Sequence, residues 1–267
     1  MTDFSGARLL VVEDQAILAL AHKALLEKVA YTVEVVLTGE AAIEKVREGV
    51  NFDLILMDIN LGSGIDGTQA ARHIIGEQDI PILFLSSHTE PEYVAKTEAI
   101  TNYGYVVKSS SPTVLYASIK MALRLHRAKI QLRERNHLLQ NLFNQSPIGI
   151  MAIDEKLYIV QANKVAEEFA QRTLAEVTPA RCGDFLGCLN ASQNPGLCGE
   201  TPQCATCGLN LQIRGVLAGK GPQDLELGVL EQLTGVEVRH RTIRYKATPL
   251  PIEGRPGVLL TFYDLET

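Results

Sequence analysis

Between Arg8 and Leu125, five short aliphatic or β-branched runs alternate with helix-length amphipathic segments. Parallel strands need long crossover connections, and those crossovers cover both faces of the sheet, so this alternation predicts a parallel sheet wrapped by helices. Strands are expected at Leu9–Val12, Thr32–Val36, Asp53–Met57, Ile82–Leu85 and Gly104–Val107. Helices are expected at Ala16–Val29, Glu40–Arg47, Thr68–Ile75 and Glu92–Ile100. A fifth helix starts near Pro112, with Ser111 as its N-cap and proline at the first helical position. The expected fold is α/β, a five-stranded doubly wound unit.

The fifth helix meets no stop signal before Ser146-Pro147, so it outruns the first domain and acts as a connector. Leu125, Leu132 and Leu139 recur every seven residues, while the companion positions are Ala128, Arg135 and Leu142. That pattern allows a parallel two-stranded coiled coil or a single solvated helix. After Pro147, strand patterns at Ile148–Ile153 and Leu157–Gln161 precede a helix at Lys164–Gln171 and a cysteine-rich loop. A helix at Leu209–Leu217 and strands at Leu225–Leu233, Val236–Thr248 and Val258–Tyr263 complete an expected antiparallel sheet with helices on one side. The domain reading is residues 1–125, a linker at 126–145, and a second domain at 146–267 with an insert at 182–207.

Composition agrees with two ordinary globular domains: 267 residues, 46% apolar and 21% charged. A net charge of -6 offers no broad basic surface for a phosphate backbone, so direct nucleic-acid binding is not expected. No apolar stretch is long enough to cross a bilayer, and Met1 to Leu10 lacks the pattern of a secretory signal, so no membrane association and a cytoplasmic location are expected.

In an open parallel sheet, ligands gather beyond the carboxyl ends of the strands. There the sequence places Glu13 and Asp14, Asp58, Ser86 and Lys108. Converging carboxylates repel by roughly 4 kcal/mol per pair at contact distance, and a divalent cation offsets that. An all-oxygen set with open positions suits Mg2+. One carboxylate, read here as Asp58, can then stay ionised and attack a phosphoryl group. Lys108 and the Ser86 hydroxyl would stabilise the transferring oxygens. Singly, these residues also read as a helix cap, a turn residue and a solvated surface charge; together they require five coincidences at strand ends.

The segments Val11-Val12-Glu13-Asp14, Leu56-Met57-Asp58-Ile59-Asn60-Leu61, Phe84-Leu85-Ser86-Ser87 and Gly104-Tyr105-Val106-Val107-Lys108 resemble the receiver domain of two-component response regulators, a flavodoxin-like fold. The resemblance implies phosphorylation of Asp58 from a cognate histidine kinase. It implies that Asp14 and Asp58 hold Mg2+, that Glu13 helps through water, and that the Asn60 carbonyl completes the protein ligands. It also implies a switch pair, Ser86 and Tyr105, and a phosphoacceptor rather than an enzyme, although the receiver would assist its own phosphorylation and dephosphorylation. Ser109 departs from the family, which has a proline in a cis peptide after the lysine. A cis bond without proline costs roughly 3 kcal/mol, so a trans or strained loop is expected here.

Gly62-Ser63-Gly64-Ile65-Asp66-Gly67 satisfies a dinucleotide fingerprint, but it follows the third strand, and Asp58 would repel a pyrophosphate. The glycines read instead as a flexible loop beside the site. Gly215 to Lys220 is one residue short of a P-loop.

Residues from about Asn136 onward resemble a PAS sensory domain. The resemblance rests on Ser146-Pro147-Ile148-Gly149-Ile150, on Ile159-Val160-Gln161-Ala162-Asn163 leading into a helix, and on the terminal Tyr263-Asp264-Leu265-Glu266-Thr267. All five cysteines fall inside its insert: Cys182, Cys188, Cys198, Cys204 and Cys207. They read as buried thiols, as a zinc or iron-sulfur centre, or as a thiol/disulfide switch. Gly208 stands where covalent haem needs histidine, and His240, the one histidine after the linker, lies in a strand pattern that gives haem no ligand helix. Arg181-Cys182-Gly183-Asp184-Phe185-Leu186-Gly187 lacks the flanking residues of a flavin-reactive cysteine motif.

The expected function is that of a response regulator whose Mg-dependent phosphorylation at Asp58 is coupled to a PAS sensory and dimerisation domain, with a homodimer as the output form. Two other readings stand beside it: the N-terminal input part of a hybrid sensor histidine kinase, and a cysteine-based metal or redox sensor. His126 and His137 on the linker helix read as solvated.

Overall fold

The computed structural model describes residues 4–87, 100, 103–235 and 237–265. The chain divides into two compact units, Met1–Glu134 and Arg135–Thr267.

In the first unit, β1 (Arg8–Val12), β2 (Thr32–Val36), β3 (Leu54–Asp58), β4 (Ile82–Ser86) and β5 (Tyr105–Val107) form a parallel sheet in the order β2-β1-β3-β4-β5. The helices α1 (Ala16–Glu27), α2 (Gly39–Arg47) and α3 (Gly67–Glu77) connect the early strands. The expected helix at Glu92–Ile100 lies outside the described residues, apart from Ile100. Side chains alternate between the two faces of the sheet. Leu10, Val12, Ile55, Met57, Ile82 and Phe84 pack on one side. Leu9, Val11, Leu54, Leu56, Leu83 and Leu85 pack on the other. Burying each such residue stabilises the fold by about 1.5–3 kcal/mol, which fixes strand register as firmly as the hydrogen bonds do. β1 lies between β2 and β3, so the strand order reverses there and leaves a crevice at the carboxyl ends.

Helix α4 (Pro112–Gln145) runs 34 residues as the sequence suggests. Its first turns bury Leu115, Ile119, Ala122 and Leu123 against the sheet. Further along, Lys129 and Arg133 reach Asp79, and His126 Nδ1 lies 2.8 Å from the Tyr103 hydroxyl. His126 is therefore half-buried against an aromatic ring rather than solvated, whereas His137 is exposed. Leu125, Leu132, Leu139 and Leu142 are exposed along the helix.

In the second unit, β6 (Gly149–Ile153), β7 (Ile159–Ala162), β8 (Glu226–Thr234), β9 (Glu237–Pro249) and β10 (Val258–Asp264) form an antiparallel sheet in the order β7-β6-β10-β9-β8. Helices α5 (Lys164–Ala170), α6 (Leu174–Val177), α7 (Cys182–Leu186), α8 (Leu189–Gln193) and α9 (Gly208–Leu217) accompany it. The cysteine-rich insert differs from the expected loop: α7, α8 and a 3-10 turn at Pro202–Ala205 make it largely helical. Their brevity hides them in sequence, since five residues give barely one turn of apolar periodicity. Met151, Ile153, Phe185, Ile213, Ile243, Leu260 and Phe262 form the core beneath.

Candidate functional site

The crevice between β1 and β3 carries three carboxylates. Val12 pairs with Met57 across the two strands, so the next residues, Glu13 and Asp58, emerge side by side. Ligand atoms of Glu13, Asp14 and Asp58 all lie within 4.8 Å of one another. Glu13 and Asp58 are buried, and Asp14 is the most accessible of the three.

The Lys108 ammonium closes the site from the far side of the sheet. Its backbone N–H donates to the Ser86 carbonyl at 2.7 Å, which continues the β4–β5 ladder by one residue. From there Nζ donates to Asp58 Oδ2 at 2.7 Å and to Glu13 Oε1 at 2.9 Å. The peptide joining Lys108 to Ser109 is trans, and this loop still delivers the lysine. Burial works against the Lys108 ammonium, but the bonds to Asp58 and Glu13 outweigh it and hold the lysine above its ordinary range. Burial pushes the Glu13 carboxyl up, with Lys108 opposing and the Asp58 charge adding to the rise.

Ser86 is buried at the end of β4, and Tyr105 is half-buried beside the cluster that holds Ile82 and Phe84. Asn60 follows in the β3–α3 loop, where its N–H donates to Asp58 Oδ1 at 3.3 Å. Of the residues expected at the strand ends, Glu13, Asp14, Asp58 and Lys108 are thus brought to one crevice.

Glu13 Oε2 is buried and, although 2.7 Å from Lys108 Nζ, has no well-aimed hydrogen-bond partner. An all-oxygen donor set with such a spare lone pair fits a hard divalent cation such as Mg2+.

The glycine-rich loop contributes geometry that its spacing alone concealed. A Cβ on Gly67 would lie 1.8 Å from the Asp58 carbonyl oxygen, so glycine there lets α3 start against the end of β3. Gly62 and Gly64 have φ of +66° and +101°, which L side chains rarely adopt. Asp66 caps α3 through the Gln69 N–H and completes a capping box. His22 is a further residue that the sequence did not single out. It lines a small cavity of about 90 Å³ with Lys108, and burial, then the Lys108 charge, hold its imidazole below the usual range.

In the second unit, all five cysteines are free thiols, and all five line one cavity of about 580 Å³. Cys182 opens α7, Cys188 and Cys207 are the N-caps of α8 and α9, Cys204 sits in the 3-10 turn, and Cys198 lies in the loop between.

The description of the response regulator receiver domain matches residues 9–120, and that of a PAS domain matches residues 137–202. Residues 9–120 are thus a response regulator receiver domain, followed by a PAS domain. Among curated relatives, the receiver–PAS chain is 33% identical over 125 residues to the transcriptional regulatory protein ResD of Bacillus subtilis, covering 46% of this chain and 51% of that protein. It is 33% identical over 92 residues to the two-component response regulator ARR10 of Arabidopsis thaliana, covering 34% of this chain and 16% of that protein. The chain thus spans about half or less of these two relatives. Among solved structures, the N-terminal domain of a response regulator/sensory box/GGDEF 3-domain protein from Carboxydothermus hydrogenoformans shares 49% identity. That match covers 46% of this chain and 98% of the solved one, with a TM-score of 0.44. Among the described residues, no helix is long and apolar enough to cross a membrane.

Proposed function

We propose that this chain is a cytoplasmic response regulator in which Asp58 accepts a phosphoryl group from a histidine kinase and α4 couples that event to the PAS domain. The observation that carries the reading is the convergence of three carboxylates, whose ligand atoms lie within 4.8 Å of one another, with the ammonium of Lys108 2.7 Å from Asp58.

Asp14, Asp58 and the Asn60 carbonyl would hold Mg2+, with Glu13 acting through water. The bound cation supplies charge neutralisation for the incoming phosphoryl oxygens. An Asp58 carboxylate oxygen forms the new bond to phosphorus as the N–P bond of the kinase phosphohistidine breaks, and the imidazole leaves with the electron pair. Lys108 is placed to follow the charge as it moves from the carboxylate to the phosphoryl oxygens, and the Ser86 hydroxyl stands at the adjoining strand end. Movement of Ser86 toward that group would let Tyr105 turn inward and reshape the face around β5 and α4.

Output runs through α4. The exposed Leu125, Leu132, Leu139 and Leu142 provide an apolar seam for the same helix of a second copy, giving a homodimer. No direct contact with nucleic acid or membrane is part of this reading.

Incubating the chain with acetyl phosphate and Mg2+ should give a base-labile phosphoryl adduct that is lost in Asp58→Asn. Undiminished labelling of that variant would overturn the assignment.

A further inference from the structure

We infer that the cavity of the PAS domain holds an iron-sulfur cluster on four of its five cysteines. The argument begins with convergence. The other 241 residues contain no cysteine, yet five thiols on separate short segments reach the same cavity wall. Burial alone does not require this, because buried thiols scattered through a core are equally stable.

The sulfurs also receive hydrogen bonds that a neutral thiol has little use for. The Gly183 N–H donates to Cys198 Sγ at 3.0 Å and the Gly199 N–H to Cys204 Sγ at 3.1 Å. The Thr201 hydroxyl and the Asn190 side-chain amide also reach Cys204 Sγ, at 3.2 and 3.4 Å. Donors aimed at sulfur stabilise the thiolate, the form that binds metal, and such bonds tune cluster potentials. Gly183 is part of this construction. A Cβ there would lie 2.7 Å from Cys198 Sγ and 3.3 Å from Cys188 Cβ, so only glycine lets these two segments close on each other.

Spacing selects the class of guest. A tetrahedral zinc ion holds every sulfur about 2.3 Å from one point, which crowds the sulfurs together. Here the carboxylates of the receiver are the sole group of three or more metal-ligating side chains, among the described residues, with ligand atoms within 4.8 Å. The cysteines instead line part of a wider cavity of about 580 Å³. A polynuclear cluster fits that arrangement because each thiolate binds a different iron or shares one of several, and inorganic sulfide fills the centre.

Ligation is an exchange without net oxidation: each thiol gives its proton to water, and its sulfur replaces a ligand on a preassembled cluster.

The test uses the full chain, purified anaerobically, then treated with ferric iron, sulfide and dithiothreitol and desalted. Iron and acid-labile sulfide should be retained in about equal amounts, roughly two to four of each per chain, with a broad visible absorption. The double variant Cys182→Ser/Cys198→Ser leaves three cysteines and should retain at least tenfold less iron. Circular dichroism reports whether that variant is folded, and the metal analysis of the unaltered chain stands independently of it. Absence of iron and sulfide from the treated wild-type chain would overturn the proposal, and so would one zinc per chain that iron and sulfide do not displace. Full retention of the cluster by the double variant would overturn it equally.

Discussion

Lys108 Nζ lies 2.7 Å from Asp58 Oδ2, so a lysine delivered by β5 neutralises a carboxylate at the end of β3, with β4 between them. Both side chains are nearly buried, at 10% and 4% exposure. Removing one partner of such a pair costs more than the pair contributes, because the other charge stays behind. Lys108→Met should therefore destabilise the metal-free receiver by about 3 kcal/mol. Mg2+ offsets the same repulsion, so it should raise the melting temperature of the variant more than that of the wild type, while labelling of Asp58 falls. Thermal melts in chelator and in Mg2+ check this, and an equal Mg2+ effect on both proteins would contradict it.

Gly67 is fixed by contact with the same aspartate. An alanine Cβ would lie 1.8 Å from the Asp58 carbonyl oxygen, a backbone atom that cannot rotate away. Gly67→Ala should cost about 3 kcal/mol or more and displace the start of α3. Denaturant unfolding followed by circular dichroism measures the loss, and a stability within experimental error of wild type would show that α3 is not seated as described.

The crevice was legible because its residues sit at the ends of short, continuous aliphatic runs, where the first charged or hydroxyl side chain marks the stop. Glu13, Asp58, Ser86 and Lys108 needed only the strand boundaries and the topology. The order of strands then placed β1 beside β3, which brings Glu13 to Asp58. Gly67 was misleading for the opposite reason: its spacing matches a phosphate-binding fingerprint, while its use here is room for a carbonyl. In the second unit, α7 and α8 are five residues each, little more than one turn, so no periodicity could emerge. His126 looked solvated because its partner, Tyr103, is distant in sequence and reaches it only through the fold.

The pH behaviour of the crevice follows from Glu13. Burial raises its carboxyl above the ordinary value of 4.5, assisted by Asp58 and opposed by Lys108. A folded pKa above the unfolded one gives stability that is complete below the unfolded value and lost as pH rises through the folded one. In the metal-free chain this group thus favours the fold in acid. Lys108, also raised, keeps its contribution through neutral pH and loses it only above 10.5. Mg2+ binding needs the ionised carboxylate of Glu13, so affinity should begin to fall with acidification before an ordinary glutamate would titrate. Calorimetric titration across a pH series checks this, and the component assigned to Glu13 should vanish in Glu13→Gln.

Asn163 ties the end of α4 to the PAS sheet and is fully buried. Its Oδ1 accepts from the Ile150 and Ala166 N–H groups at 2.8 and 3.0 Å, while Nδ2 donates to the Phe143 and Ile148 carbonyls at 3.0 and 2.8 Å. One side chain thereby satisfies the last turn of α4, the start of β6 and the start of α5. Asn163→Ala leaves these backbone groups without their partner and removes the cap of α5, costing about 3 kcal/mol or more. Asn163→Asp keeps the acceptor but turns a carboxylate oxygen toward two carbonyls, which should raise its pKa above the ordinary value of about 3.9. That variant should lose stability as pH rises through the raised value and regain it in acid, when the protonated oxygen can donate. Parallel unfolding curves at acidic and neutral pH decide the matter: if Asn163→Asp follows the wild type at both, the amide is not the tie between α4 and the sheet.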